Sequence, residues 1–396
     1  MQLIAKAKAH PKLGLIILAY IAFIALGMPD GLLGVAWPSI RLSFNIPLDA
    51  LGMLLVAGTT GYLTSSFASG FLIARLGVGR VLAISTALTG TALIGYTLVP
   101  DWWMMVLLGV FTGLGAGAID AGLNTYVAAH FGEGLMQWLH ASYGIGITLG
   151  PIIMTVAISS LNSWRLGYDT VGGFQLLLAV CFALTLPMWM QKDEPAGAER
   201  PQRLTDYKTP LGETLRQPRV WLSVLLFFLY TGAEVSLGAW AFTLLTESRG
   251  VPPQQAGLVT GSYWAMFTIG RVLAGLYAKR LGVHTLVQGS LAGALLGAAL
   301  LWWNPMPAAS LVGVALVGFA IAPIFPALMS GTSQRVSPRF AANTIGMQMT
   351  GAGLGASILP SLVGVLARNL SLEVIPVCLF VLFALLWGCY YLARKH

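Results

Sequence analysis

Gly70-Phe71-Leu72-Ile73-Ala74-Arg75-Leu76-Gly77-Val78-Gly79-Arg80 reads as the end of one apolar run, a basic turn and the start of the next run. A degenerate copy follows 205 residues later, from Gly275 to Val283, with Lys279-Arg280-Leu281-Gly282-Val283 standing where Ala74-Arg75-Leu76-Gly77-Val78 stands in the first. Asp30 with Leu33 and Gly34 returns as Glu234 with Leu237 and Gly238, at an offset of 204. Repetition at one spacing across a chain of 396 residues predicts two similar halves.

The turns lie between long apolar runs. Hydrophobic residues make up 57% of the chain and charged ones 9%, against about 25% charged in soluble domains. Only lipid accepts that much apolar surface. A spanning helix needs about 20 apolar residues. The runs give twelve expected spans, at 14–38, 50–73, 80–99, 103–126, 139–160, 172–190, 220–244, 256–278, 284–303, 308–330, 341–366 and 374–393. The expected fold is therefore an all-α membrane protein of two pseudo-symmetric six-helix bundles. Its parts are a first bundle at 1–190, a polar linker at 191–219 rich in Pro and charge, and a second bundle at 220–396.

The net charge of +8 sits in short clusters between the runs, as membrane orientation requires, and forms no basic face for nucleic acid. With the N-terminus inside, seventeen Lys and Arg fall in cytoplasmic loops and four (Arg41, Arg165, Arg249, Arg368) on the other side. Both termini are thus expected in the cytoplasm, with the chain crossing the inner (plasma) membrane. The basic N-terminal stretch leads into a run too long for a signal-peptide core, so it reads as a retained first span.

Cys181, Cys378 and Cys389 lie inside apolar runs without metal-ligand spacing. Gly113-Leu114-Gly115-Ala116-Gly117-Ala118 imitates a dinucleotide fingerprint but lies within a span and follows no strand. Gly109, Gly113 and Gly117 at four-residue spacing are better read as close helix packing. There is no phosphate-binding loop, zinc motif or nucleophile elbow, so no cofactor, metal or enzyme chemistry is expected.

Three acids fall within apolar spans: Asp30, Asp120 and Glu234. A charge at bilayer depth costs a few kcal/mol, and such residues normally face a cavity and serve ion or substrate paths. The bland alternative is a protonated carboxyl bonded to a neighbouring helix. Asn124 lies one turn after Asp120 on the same face, and Gln348 is mid-span. With Trp37, Tyr143, Trp240 and Tyr263 they are candidate substrate contacts, against belt or packing roles for the aromatics. His140 near one membrane face, Arg75, Arg80 and Arg280 in the loops, and Arg271, placed to snorkel, are read as gating or structural residues.

The Gly70–Arg80 loop and its copy resemble the signature loop of the major facilitator superfamily, with Ala74 where that family often has an acid. Within that family, Met28 to Pro38, Asp120-Ala121-Gly122-Leu123-Asn124 and Leu139-His140-Ala141-Ser142-Tyr143-Gly144 resemble the fucose–galactose–glucose proton symporters. The resemblance implies a monomer that moves a small polar solute, a sugar, by proton-coupled alternating access, with sodium as the other coupling ion. It also implies that Asp30 and Asp120 carry proton coupling and sugar binding. The rivals are a proton-driven drug or metabolite exporter on the same fold and a non-transporting membrane sensor.

Overall fold

A computed structural model describes residues 11–130, 133–189 and 209–395. Among these residues the structure is helical throughout. The first elements are α1 (Pro11–Phe44), α2 (Leu51–Leu76), α3 (Val78–Leu98), α4 (Trp102–His130), α5 (Glu133–Leu161) and α6 (Trp164–Leu184). After the linker come α7 (Pro218–Thr243, continued by a π turn to Ser248), α8 (253–281), α9 (283–303), α10 (Pro307–Ile321), α11 (Pro338–Asn369) and α12 (Val374–Lys395). The linker expected at 191–219 lies outside the described residues up to 208. From Thr209 it forms a short helix, Leu211–Leu215, held to α11 where Asn343 Nδ2 donates to the Thr209 carbonyl (3.0 Å) and to Thr214 Oγ1 (2.9 Å).

Ten helices among the described residues are long and apolar enough to cross a membrane. α2 and α8 are not among the ten; α2 carries Thr59, Thr60, Thr64, Ser65, Ser66 and Ser69 along its middle. Apolar side chains face outward, Phe67 of α2 at 95% exposure and Leu184 of α6 at 77%, which suits lipid and not water. Every backbone polar group in lipid must be bonded internally, and helices achieve this alone. The expected span 172–190 is displaced: α6 begins at Trp164 and brings Asp169 into its second turn. Thr97 Oγ1 donates to Asp169 Oδ1 (2.8 Å), so the polar opening of the helix is bonded to the end of α3.

The chain divides into two compact units, Met1–Asn45 with Val56–Glu194, and Ile46–Leu55 with Pro195–His396. The short turn Leu48–Ala50 belongs with the second unit, where Arg368 reaches Asp49 at 3.0 Å.

The basic turns explain their own glycines. α2 and α3 are joined by Gly77 alone, at φ 76° and ψ 154°. α8 and α9 are joined by Gly282, at φ 73° and ψ 156°. A side chain on either residue would be strained in this region, which glycine enters freely. Arg75 stacks on Phe71, 4.3 Å from the ring centroid, and Arg75, Arg80 and Arg280 are all exposed.

Glycine also sets the helix spacing inside each unit. A Cβ on Gly146 of α5 would lie 2.0 Å from the Ile24 carbonyl of α1, and one on Gly31 would lie 2.3 Å from that of Ile147. Between α2 and α4, a Cβ on Gly113 would lie 1.9 Å from the Gly58 carbonyl, and one on Gly61 would lie 2.1 Å from that of Val110. In the second unit a Cβ on Gly355 of α11 would lie 2.1 Å from the Phe228 carbonyl of α7. These backbones touch because nothing stands between them, the packing that four-residue glycine spacing predicts. Gly146 and Gly150 recur as Gly351 and Gly355 at the 205-residue offset, so the seam belongs to the repeat.

Candidate functional site

In the first unit the glycine seams carry the polar groups into contact. Asp30 follows Pro29 in α1 between Gly27 and Gly31, on the seam with α5. There the Tyr143 hydroxyl donates to Asp30 Oδ2 at 2.6 Å. The Asp30 side chain is otherwise exposed, although it lies deep in an apolar span. Asp120, in α4, is held by more donors. The Tyr62 hydroxyl of α2 donates to its Oδ2 at 2.5 Å, and Asn124 Nδ2 donates to its Oδ1 at 2.8 Å. The same amide reaches the Asp120 carbonyl at 2.9 Å, so Asn124 is turned back on its own helix. Tyr62 lies within range of the Asp30 charge as well, and His140, one turn before Tyr143 on α5, lies within range of Asp120. His140 is exposed, its ring edge against Phe23 at 5.7 Å between centroids.

Asp30, Tyr62, Asp120, Asn124, His140 and Tyr143 therefore form one polar cluster in an apolar bundle. Its chemistry is that of carboxylates held by phenol and amide donors, able to take up a cation or accept from hydroxyl groups. The sequence reading passed over Tyr62. Its signal was a phenol among the small and hydroxyl residues of α2, directly after Gly61.

In the second unit Glu234 is half-buried in α7. The Tyr263 hydroxyl donates to the Glu234 backbone carbonyl at 2.8 Å. The Tyr230 hydroxyl, on the same helix, donates to the Ile321 carbonyl at 3.2 Å. Arg271 stacks its guanidinium on Phe267, 4.2 Å from the centroid.

Three expected substrate contacts lie in packed surroundings. Gln348 is fully buried, its Nε2 donating to Ser223 Oγ (2.6 Å) and Thr332 Oγ1 (3.1 Å), in a cluster closed by Arg335. Trp240 is fully buried, with Nε1 donating to the Pro360 carbonyl at 2.9 Å. Trp37 is fully buried against Trp102 at 5.7 Å. Small and polar residues lie all around α11, so spacing alone did not reveal which face Gln348 is on.

The family model for the Major Facilitator Superfamily matches residues 19–360 and, again, 222–396. The human sodium-dependent glucose transporter 1 is 25% identical over 389 residues, covering 87% of this chain and 72% of that protein. The glucose/mannose transporter GlcP of Bacillus subtilis (strain 168) is 22% identical over 359 residues, covering 89% and 87%. Among solved structures, a bacterial homolog of the human lysosomal transporter Spinster superposes with a TM-score of 0.77 at 15% identity, over 97% of both chains. The nucleoside transporter NupG superposes at 0.74 and 16% identity, over 98% of both. At such identities the structures speak for the fold alone.

Proposed function

We propose that this chain, which belongs to the Major Facilitator Superfamily, is a secondary active transporter that moves a monosaccharide by cation-coupled alternating access. The observation that carries the reading is the pair of membrane carboxylates in the first unit, Asp30 on Tyr143 and Asp120 on Tyr62 and Asn124. Carboxylates at bilayer depth are costly and are kept for ion or substrate work. Relatives named for glucose and mannose transport support a sugar as the solute.

In this reading twelve spans cross the plasma membrane, α2 and α8 included, with both termini in the cytoplasm and residues 191–219 linking the halves of a monomer. Asp30, Asp120 and Glu234 couple cation binding to movement. The coupling ion is the proton; sodium is the alternative, since several relatives are named as sodium-dependent. Cation binding drives the cycle because a bound charge changes the relative stability of the two conformations.

The test is sugar uptake into proteoliposomes holding a pH-sensitive dye, with a sodium gradient imposed or absent. Sugar-triggered acidification that Asp30→Asn abolishes supports proton coupling. Uptake that follows the sodium gradient without acidification replaces the proton by sodium. Flux of an amphiphilic drug with no sugar flux overturns the sugar reading.

A further inference from the structure

Where the linker enters the second unit, the exposed face of α7 carries an open groove of about 540 Å³, lined by Arg216, Pro218, Trp221, Leu222 and Leu225. From Pro218 onward these are positions i, i+3, i+4 and i+7, so one stripe of the first two turns of α7 forms the wall. Arg216 stands at its head. Trp221 is 51% exposed and Leu225 41%. The apolar span of α7 begins at Pro218, which sets the arginine where hydrocarbon gives way to water.

The head of the groove is held in place. Trp221 Nε1 donates to the Leu215 carbonyl at 2.8 Å, so the indole closes the end of the short helix Leu211–Leu215. The backbone N–H of Gln217 donates to the Thr214 carbonyl at 3.1 Å, and that of Val220 to the Gln217 carbonyl at 3.0 Å. Asn343 of α11 reaches Thr214 Oγ1 at 2.9 Å. Arg216 is therefore presented from a fixed turn.

Charge at this turn is one-sided. Between Thr209 and Leu225 stand two arginines, Arg216 and Arg219, and one acid, Glu213. Glu213 is paired with Arg339. Arg216 and Arg219 are exposed, and neither has an ion-pair partner among the described residues. A guanidinium offers a planar fork of donors that matches a phosphate group. Indoles settle at the level of lipid headgroups, and basic residues beside a span attract anionic ones.

We infer that this groove is a binding site for an anionic phospholipid, whose phosphate accepts from Arg216 while an acyl chain lies along Pro218, Trp221, Leu222 and Leu225. Arg219 adds attraction without lining the groove. A zwitterionic headgroup brings its own cation and gains less from an unpaired arginine, so the site selects net negative charge. The site requires the bilayer and α7, and is independent of the solute carried and of the coupling ion.

The test uses the full-length protein in neutral detergent, stripped of co-purified lipid. Phosphatidylglycerol and phosphatidylcholine with the same acyl chains are titrated in turn, and bound lipids are counted by native mass spectrometry. The expected result is one phosphatidylglycerol held about five-fold or more tighter than phosphatidylcholine, the factor that one arginine near an anionic lipid provides. Arg216→Gln erases the preference. Arg80→Gln, which removes the same charge from an exposed arginine of the first unit, keeps it. Equal binding of the two lipids overturns the site, as does a preference that survives Arg216→Gln. Inorganic phosphate that displaces phosphatidylglycerol at equal concentration shows a free-phosphate site and overturns the lipid. A second reading needs no arginine variant: phosphatidylglycerol with brominated acyl chains quenches tryptophan emission on contact. Trp221→Phe is expected to remove the part of the quenching that saturates at one lipid per protein. Quenching unaltered by Trp221→Phe places the lipid elsewhere and overturns the site.

Discussion

Tyr62 and Asp120, on neighbouring helices of the first unit, share a hydrogen bond of 2.5 Å. With Asn124 on the other oxygen, both oxygens of this carboxylate are engaged, whereas Asp30 accepts from Tyr143 on one oxygen. The two acids therefore differ in how firmly they are held. Bonds to a charged group contribute about 1.5–3 kcal/mol, so Tyr62→Phe is expected to lower kcat/KM for sugar uptake roughly ten- to hundred-fold. Initial rates in proteoliposomes measure it, and unchanged uptake would remove Tyr62 from the site.

Gln348 is expected to act through stability. It bonds to Ser223 and Thr332 in a buried cluster that also receives hydrogen bonds from Arg335 Nη2. Gln348→Leu strands those partners, at a cost of about 1–3 kcal/mol. The unfolding temperature in detergent should fall while the KM for sugar stays within about two-fold. A large KM change at unaltered stability would return Gln348 to the substrate contacts.

Gly146→Ala tests the seam. The added methyl meets the Ile24 carbonyl at 2.0 Å, and backbone cannot step aside as a side chain can. α1 and α5 must separate, which lengthens the 2.6 Å contact between Asp30 and Tyr143. Uptake is expected to fall more than about ten-fold, with a lower unfolding temperature. Gly289→Ala in α9, where a Cβ meets nothing within 4 Å, is the control. It should be neutral or gain up to about 1 kcal/mol of helix propensity. Equal effects at the two positions would refute the seam as the cause.

Acid should weaken the second unit through Glu373. Bonds from the Arg249 guanidinium, aided by Ser248, hold its carboxyl below the ordinary glutamate value. These bonds exist only in the folded chain, so the unfolded chain binds the proton more readily. Their stabilisation is full above the unfolded-state value of about 4.3 and is lost as pH falls through the lower folded value. The unfolding temperature of the wild type should drop more steeply below that pH than that of Glu373→Gln. Parallel curves would show that the pair contributes nothing.

The membrane class and the two-fold repeat were legible because lipid imposes long apolar runs and because the Arg75 and Arg280 turns kept one spacing. Asp30, Asp120 and Glu234 stood out for the same reason, each a charge where lipid penalises charge. Tyr62 did not stand out. Its partner is far away in sequence and reaches it only through the α2–α4 seam, and a membrane chain holds many aromatics for ordinary reasons. The start of α6 was misplaced because Arg165 and Asp169 look like a loop until Thr97 and the end of α3 are seen to bond them.

The join at Gly77 has a mechanical consequence. An elbow of one residue has two dihedral angles and no slack. α2 and α3 cannot drift apart by loosening a loop, as α1 and α2 can across Asn45-Ile46-Pro47. Any change in the angle between them must be written into φ and ψ of Gly77 itself. Gly282 imposes the same restriction on α8 and α9. Each of these two pairs of long helices thus turns as a single lever or does not turn at all.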